Sequence, residues 1–199
     1  MRPHHLLPIV TLILAAALLP TAVVSGQATA TPSSAPAHYI PNAALLTHEK
    51  RPVRFYDDLV KGRTVVVNFM FTSCASICPQ ATRTLRNVQE VITASAASNV
   101  LMLSITVDPE TDTPDVLARY AARHEVKPGW LFLTGNRQEV DKVRRRFGAS
   151  DNDDPDPSQH TGMVIYGNEP LGQWRMINVT RPSDRIADAV LRLAAGRLW

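Results

Sequence analysis

The sequence predicts an α/β domain: a central sheet flanked by helices and entered through an N-terminal β-hairpin. Three observations carry this reading. Short apolar runs at 65–71, 100–107 and 130–134 are too brief for buried helices and are bounded by turn residues, which marks them as strands covered on both faces. Segments of helical periodicity follow each of them. The last two strand-like segments, 163–166 and 173–178, are joined by Gly167-Asn168-Glu169-Pro170-Leu171-Gly172, a turn that pairs them as a hairpin. Strands alternating with helices and closing on an antiparallel pair plus a helix give a thioredoxin-like layering.

Of the 199 residues, the first 30 read as a leader. Met1-Arg2-Pro3-His4-His5 is weakly basic, Leu6 to Val24 is apolar, and Ala28-Thr29-Ala30 offers small residues for cleavage. This is the pattern of an export signal, and the apolar stretch is also long enough to stay as a membrane anchor. The expected location is therefore periplasmic, or otherwise on the extracytoplasmic side of a membrane, soluble or anchored. Residues 31–43, rich in Thr, Pro, Ser and Ala at their start, read as a linker, and 44–199 as the folded domain. The net charge of +3 is modest, and basic residues are not interleaved with aromatic ones, which argues against nucleic-acid binding. Arg144-Arg145-Arg146 reads as a solvated helix face.

Within the domain, Ala44 to Phe55 forms the hairpin, with its turn near His48 to Arg51. Tyr56 to Val60 is a short helical turn. The strand at 65–71 leads to a helix that holds Pro79 in its first turn, where a missing N–H costs nothing. On that helix Leu85, Val88, Val91 and Ile92 are expected inward, and Arg83, Arg86 and Gln89 outward. After the strand at 100–107, Thr113 caps a helix with Pro114 at its first position, running to about His124. Lys127-Pro128-Gly129 stops that helix before the strand at 130–134. Arg137 to Phe147 is helical and ends at Gly148. An acidic, proline-bearing loop spans 149–159, and the final helix starts at a cap, Ser183 or Asp184, and ends near Ala195.

The chain holds two cysteines, Cys74 and Cys78, four apart at the first strand-to-helix junction. The free N–H groups and positive dipole end of a helix favour a thiolate there, and a thiolate attacks disulfides and binds soft metal ions. As a purely structural disulfide, so short a loop adds only about 2 kcal/mol. Spacing alone does not separate redox work from metal binding. Outside the cytoplasm the pair oxidises unless a partner or a metal keeps it reduced.

Three blocks stand out: Phe71-Thr72-Ser73-Cys74-Ala75-Ser76-Ile77-Cys78-Pro79, the stretch Ser104 to Pro114, and His160 on the loop before a late strand. Together, over roughly residues 38–197, they resemble the Sco/SenC copper chaperones of respiratory oxidase assembly. The resemblance implies a copper ion held by Cys74, Cys78 and His160 and passed to the copper centre of a haem–copper oxidase subunit. Two thiolates and an imidazole suit Cu(I), whereas structural zinc usually takes four ligands. Met163 is soft enough to be a fourth ligand but fits strand packing better. Where the family often has an acidic residue before the histidine, this chain has Gln159, a departure that either weakens the site or moves the ring-orienting role to Asp154 or Asp156 in an otherwise solvated loop. His38, His48 and His124 read as surface residues, with His38 an accessory ligand at most. The alternative is a thiol–disulfide oxidoreductase, in which Cys74 attacks and Cys78 resolves and the acceptor's cysteines are reduced. A peroxidase is a third reading. The implied partners are the copper acceptor and a thiol reductant or copper donor protein.

Overall fold

The computed structural model describes residues 40–75, 77–95, 99–148 and 162–197. Seven strands form one mixed sheet: β1 (Ala44–Thr47), β2 (Pro52–Arg54), β3 (Thr64–Met70), β4 (Val100–Thr106), β5 (Trp130–Thr134), β6 (Met163–Asn168) and β7 (Gln173–Asn178). Their spatial order is β2-β1-β5-β4-β3-β6-β7. The central β3, β4 and β5 run parallel, and β1, β2, β6 and β7 extend the sheet by antiparallel pairing. Helices α1 (Ile77–Ala94), α2 (Pro114–Arg123), α3 (Arg137–Arg146) and α4 (Ser183–Ala194) cover it, and a π-helical turn at Phe55–Val60 leads into β3. The predicted thioredoxin-like sheet with its N-terminal hairpin is what forms.

Pleating sorts β3 into two cores. Val66 and Met70 face α1, α2 and α4, together with Leu85, Val88, Leu117 and Val190. Val65, Val67 and Phe69 face the other way, against Leu59, Val140 and Val143. All seven β3 positions are buried, so alternation could not appear in the sequence and a continuous apolar run appears instead.

Local signals for element ends hold at most positions. Thr113 Oγ1 accepts from Val116 N at 3.4 Å and Pro114 opens α2. Asn136 Oδ1 accepts from Glu139 N at 2.9 Å to cap α3, and Gly148, at φ 68°, follows its end. At α4 the expected cap is not found: Pro182 is the N-cap and supplies no side-chain bond, while Ser183 and Asp184 lie inside the first turn, where Asp184 faces the positive helix end. The hairpin turn is shorter than expected, because β6 continues through Gly167 and Asn168.

Five further expectations are corrected. Gln89 is buried, not outward, because its amide donates to Lys127 O at 2.7 Å and accepts from Lys127 N at 3.0 Å, closing the turn before β5. Val91 is 42% exposed, since the inward stripe runs Ala81, Leu85, Val88, Ile92 and leaves it to one side. His48 and His124 are half-buried rather than on the surface: His48 Nδ1 accepts from Phe132 N at 3.1 Å, and the His124 ring lies 4.4 Å from that of Tyr120. Arg144 is drawn in by Asp141, at 3.2 Å, so the arginine cluster is not wholly solvated. Ile40 and Ala43 are buried in the core, and Asn42 Oδ1 accepts from Tyr56 N and Asp57 N at 3.2 Å each; residues 40–43, read as linker, thus belong to the packed domain. The leader, the possible anchor, His38, the acidic loop with Asp154 and Asp156, Gln159 and His160 lie outside the described residues. Among the described residues no helix is long and apolar enough to cross a membrane.

Two predictions follow from this packing. A Cβ on Gly167 would sit 2.3 Å from the Trp174 ring that crosses it from β7. Gly167→Ala is expected to cost about 1–3 kcal/mol by overpacking, read as a lower urea midpoint at unchanged slope. Burial pushes the His48 imidazole below its ordinary value, against the opposing pull of Glu49. Burial, with Arg123 and Arg83, lowers that of His124. The unfolded chain therefore takes up protons first as pH falls below about 6.5. Stability is expected to be fully present above that value and to decline as pH drops toward the folded-state values. Replacing both residues with Gln should flatten the decline in urea melts.

Candidate metal centre

The two cysteines lie beyond the carboxyl end of β3, one on each side of the turn into α1. Cys78 is the second residue of α1 and is 1% exposed; Cys74 is in the connecting loop and is 7% exposed. Both are thiols, with no disulfide between them. The first turn of α1 carries no acidic residue, so no carboxylate of its own offsets the positive helix end.

The loop is anchored at its start. Val107 N donates to Met70 O at 2.8 Å, continuing the β3–β4 ladder one step past the strands, and Cys74 N donates to Phe71 O at 3.3 Å. Between these points Asp112 reaches in from the turn after β4. Its carboxylate, fully buried, accepts from Thr72 N at 3.1 and 3.3 Å, from Thr72 Oγ1, and from Thr106 Oγ1 at 2.6 Å. Thr106 Oγ1 in turn accepts from Asp108 N at 3.0 Å. Asp112 N donates to Asp108 O at 2.9 Å, which closes the turn on itself. Arg137 on α3 holds the same turn from outside, pairing with Glu110 and donating to Val107 O at 3.1 Å.

Beneath the cysteines lies a second polar contact. Thr82, one helical turn after Cys78, shares a 2.8 Å hydrogen bond with the Tyr120 hydroxyl of α2. Burial pushes the Tyr120 phenol up, the Thr82 hydrogen bond opposes this, and Cys78 and Cys74 are near enough to add to the rise. The phenol therefore keeps its proton beside the sulfurs. In the adjoining core Trp130 Nε1 donates to Ser104 Oγ at 2.9 Å, and Ser104 Oγ donates to Asn68 Oδ1 at 2.6 Å.

Of the three predicted ligands, the described residues include the two sulfurs only, and among them no group of three His, Cys, Asp or Glu side chains converges on a metal position. The neighbours of His160 are informative. Gly162 O accepts from Val179 N at 2.8 Å, and β6 begins at Met163. Asn68 pairs with Val164 across the antiparallel ladder, so β6 starts beside the carboxyl end of β3. Met163 packs in the strand, with its sulfur 3.9 Å from Asn178 Nδ2. Thr72, Asp112, Thr82 and Tyr120 were not singled out as site residues from sequence, although Thr72 and Asp112 lie in the stretches that carry the resemblance. A cavity of about 770 Å³ lies at the opposite end of the sheet, between Thr64, Asn99, Asn168 and Ala195, away from the sulfurs.

A thioredoxin-like domain with a buried dithiol at the head of its first long helix defines the class. The SCO1/SenC family model matches residues 34–195, and the chain belongs to that family. An SCO2-like protein of Rickettsia prowazekii is 34% identical over 106 residues, 50% of either chain; this chain thus spans about half the length of that relative. Yeast Sco1 with copper bound superposes at a TM-score of 0.66, with 20% identity over 81% of this chain and 95% of that one. BsSco, described as a Sco-family cytochrome c oxidase assembly protein with a disulfide switch, superposes at 0.63, with 25% identity over 80% and 96%.

The unequal placement of the sulfurs has a measurable consequence. In reduced, metal-free protein, iodoacetamide is expected to modify Cys74 at least several-fold faster than Cys78, because access to the thiolate limits the rate. Site-resolved mass spectrometry reads this, and equal rates would contradict the burial described.

Proposed function

We propose that this protein is a copper metallochaperone that holds copper through Cys74, Cys78 and His160 and delivers it to the copper centre of a respiratory oxidase. The carrying observation is the shared end of the sheet. Cys74 and Cys78 follow the carboxyl end of β3, and Gly162 stands beside that same end. His160 is two residues ahead of Gly162 in the sequence, and this supports its choice as the third ligand. Two thiolates and one imidazole form a soft donor set that suits Cu(I), and three ligands leave room for an incoming thiolate before an old ligand departs. Family membership and the copper-bound yeast Sco1 support the cargo; the description of BsSco supports the oxidase as destination. The apolar N-terminus supports an exported protein, released or anchored.

A second reading is favoured by the buried dithiol itself and by the disulfide switch of BsSco. In it Cys74 attacks a disulfide of the acceptor, a mixed disulfide forms, and Cys78 displaces the reduced acceptor while the pair closes to a disulfide. This needs no histidine.

Copper titration of the reduced protein tests the first reading. His160→Ala is expected to weaken binding by about 10- to 100-fold or more, given what even an outlying partner of a ligand contributes. An unchanged affinity would remove His160 from the site. In an oxidase-assembly assay, loss of function in Cys78→Ser but not in His160→Ala would favour the reductase.

A further inference from the structure

We propose that Asp112 is a positioning residue for Cys74: through Thr72 it fixes the sulfur that lies in the loop, while the sulfur in the helix is fixed without it. The inference rests on reading Cys74 and Cys78 as the working pair.

Asp112 is a carboxylate with no exposed surface, and among the described residues none of its hydrogen bonds comes from a cationic side chain. A buried carboxylate without a cation is costly unless its oxygens are filled. Here Thr72 N–H, Thr72 O–H and Thr106 O–H fill them. Two of the three donors belong to one residue, and that residue is two positions ahead of Cys74. The carboxylate therefore fixes both the backbone and the side chain of Thr72. Where the loop leaves Thr72, and so where Cys74 can stand, follows from that grip.

The grip is transmitted from a rigid base. The turn bearing Asp112 is closed by its own backbone bonds, capped into α2 by Thr113, and held to α3 through Glu110 and Arg137. Cys78 is held by other contacts. It sits in α1, packed in the core with Ala81 and Leu85, and its helix is tied to α2 through Thr82 and Tyr120. Loss of the carboxylate is thus expected to loosen one sulfur and spare the other, an asymmetry that general destabilisation does not produce.

The test uses the folded, metal-free, reduced protein and follows alkylation of each cysteine by iodoacetamide with site-resolved mass spectrometry. Asp112→Asn exchanges one acceptor oxygen for a donor that faces donors. It is expected to speed Cys74 several-fold further and leave the Cys78 rate unchanged. Thr72→Val, which keeps the backbone N–H and loses the hydroxyl, should give a smaller change of the same kind. Thr72→Ser, which keeps both donors, should match the parent protein. If Asp112→Asn does not fold, the Thr72 pair carries the test alone. Equal acceleration of both cysteines, or none at either, in the folded variants would overturn the proposal. Titration of the same variants with Cu(I) is a separate arm: absence of copper binding in the parent protein would count against the chaperone reading, whereas the alkylation split would still decide the role of Asp112.

Discussion

Strand β3 is closed on four sides, and the rest of the site depends on that closure. Its seven residues are buried, β4 pairs along one edge and β6 along the other. A strand so placed has no freedom to slip, because a shift of one residue would exchange its two core faces. The chain therefore leaves the sheet at Met70 from a fixed point and in a fixed direction. A dithiol on an edge strand or on a long surface loop would have no comparable reference.

The buried polar groups near that exit share one design: each is held by groups from a different segment. Asp112 joins the β4 turn to the cysteine loop, Ser104 joins Asn68 of β3 to Trp130 of β5, and Thr82 joins α1 to α2. Gln89 does the same for the turn before β5. A satisfied internal hydrogen bond is worth only about 1 kcal/mol, but an unsatisfied buried partner costs more. Such pairs therefore add less to stability than to the choice of one arrangement over its alternatives. The Asp112 pair lies at the start of the cysteine loop, whereas Gln89 holds the opposite end of the sheet, before β5.

Periodicity and caps carried most of the architecture in the sequence. The apolar run at 65–71 shows a doubly buried strand because no position is spared for solvent, and Thr113-Pro114 shows a helix start because both residues act within one turn. What was hidden depends on contacts distant in sequence. Gln89 is a polar residue on the inner face of α1, explicable only by the backbone of Lys127, 38 residues on. Asp112 lies in a stretch that carries the family resemblance, but its grip on Thr72, 40 residues away, could not be read from its own turn. His48 looks like a turn residue until β5 is placed beside it. The cysteine pair was legible as a site because its chemistry is rare and its junction local; the side chains that orient it were not, because their chemistry is common and their partners remote.

The two sulfurs are unlike each other, and that difference bears on how a cargo would leave. Ligand exchange between proteins needs one donor that keeps its hold while another gives way to the incoming group. Cys78, in the first turn of α1 and sealed by core packing, has the immobility of the retained donor. Cys74, on a loop whose attitude is set through Thr72, is the less deeply buried of the two and would be the donor to give way. A buried carboxylate ahead of the cysteine loop would ordinarily oppose a further negative charge nearby. Here the donors that fill the Asp112 oxygens come from Thr72 and Thr106, so the charge is met by N–H and O–H dipoles, and α1 brings no carboxylate of its own in its first turn. The positive end of α1 thus meets no carboxylate of its own helix, and the Asp112 carboxylate anchors the start of the cysteine loop through Thr72.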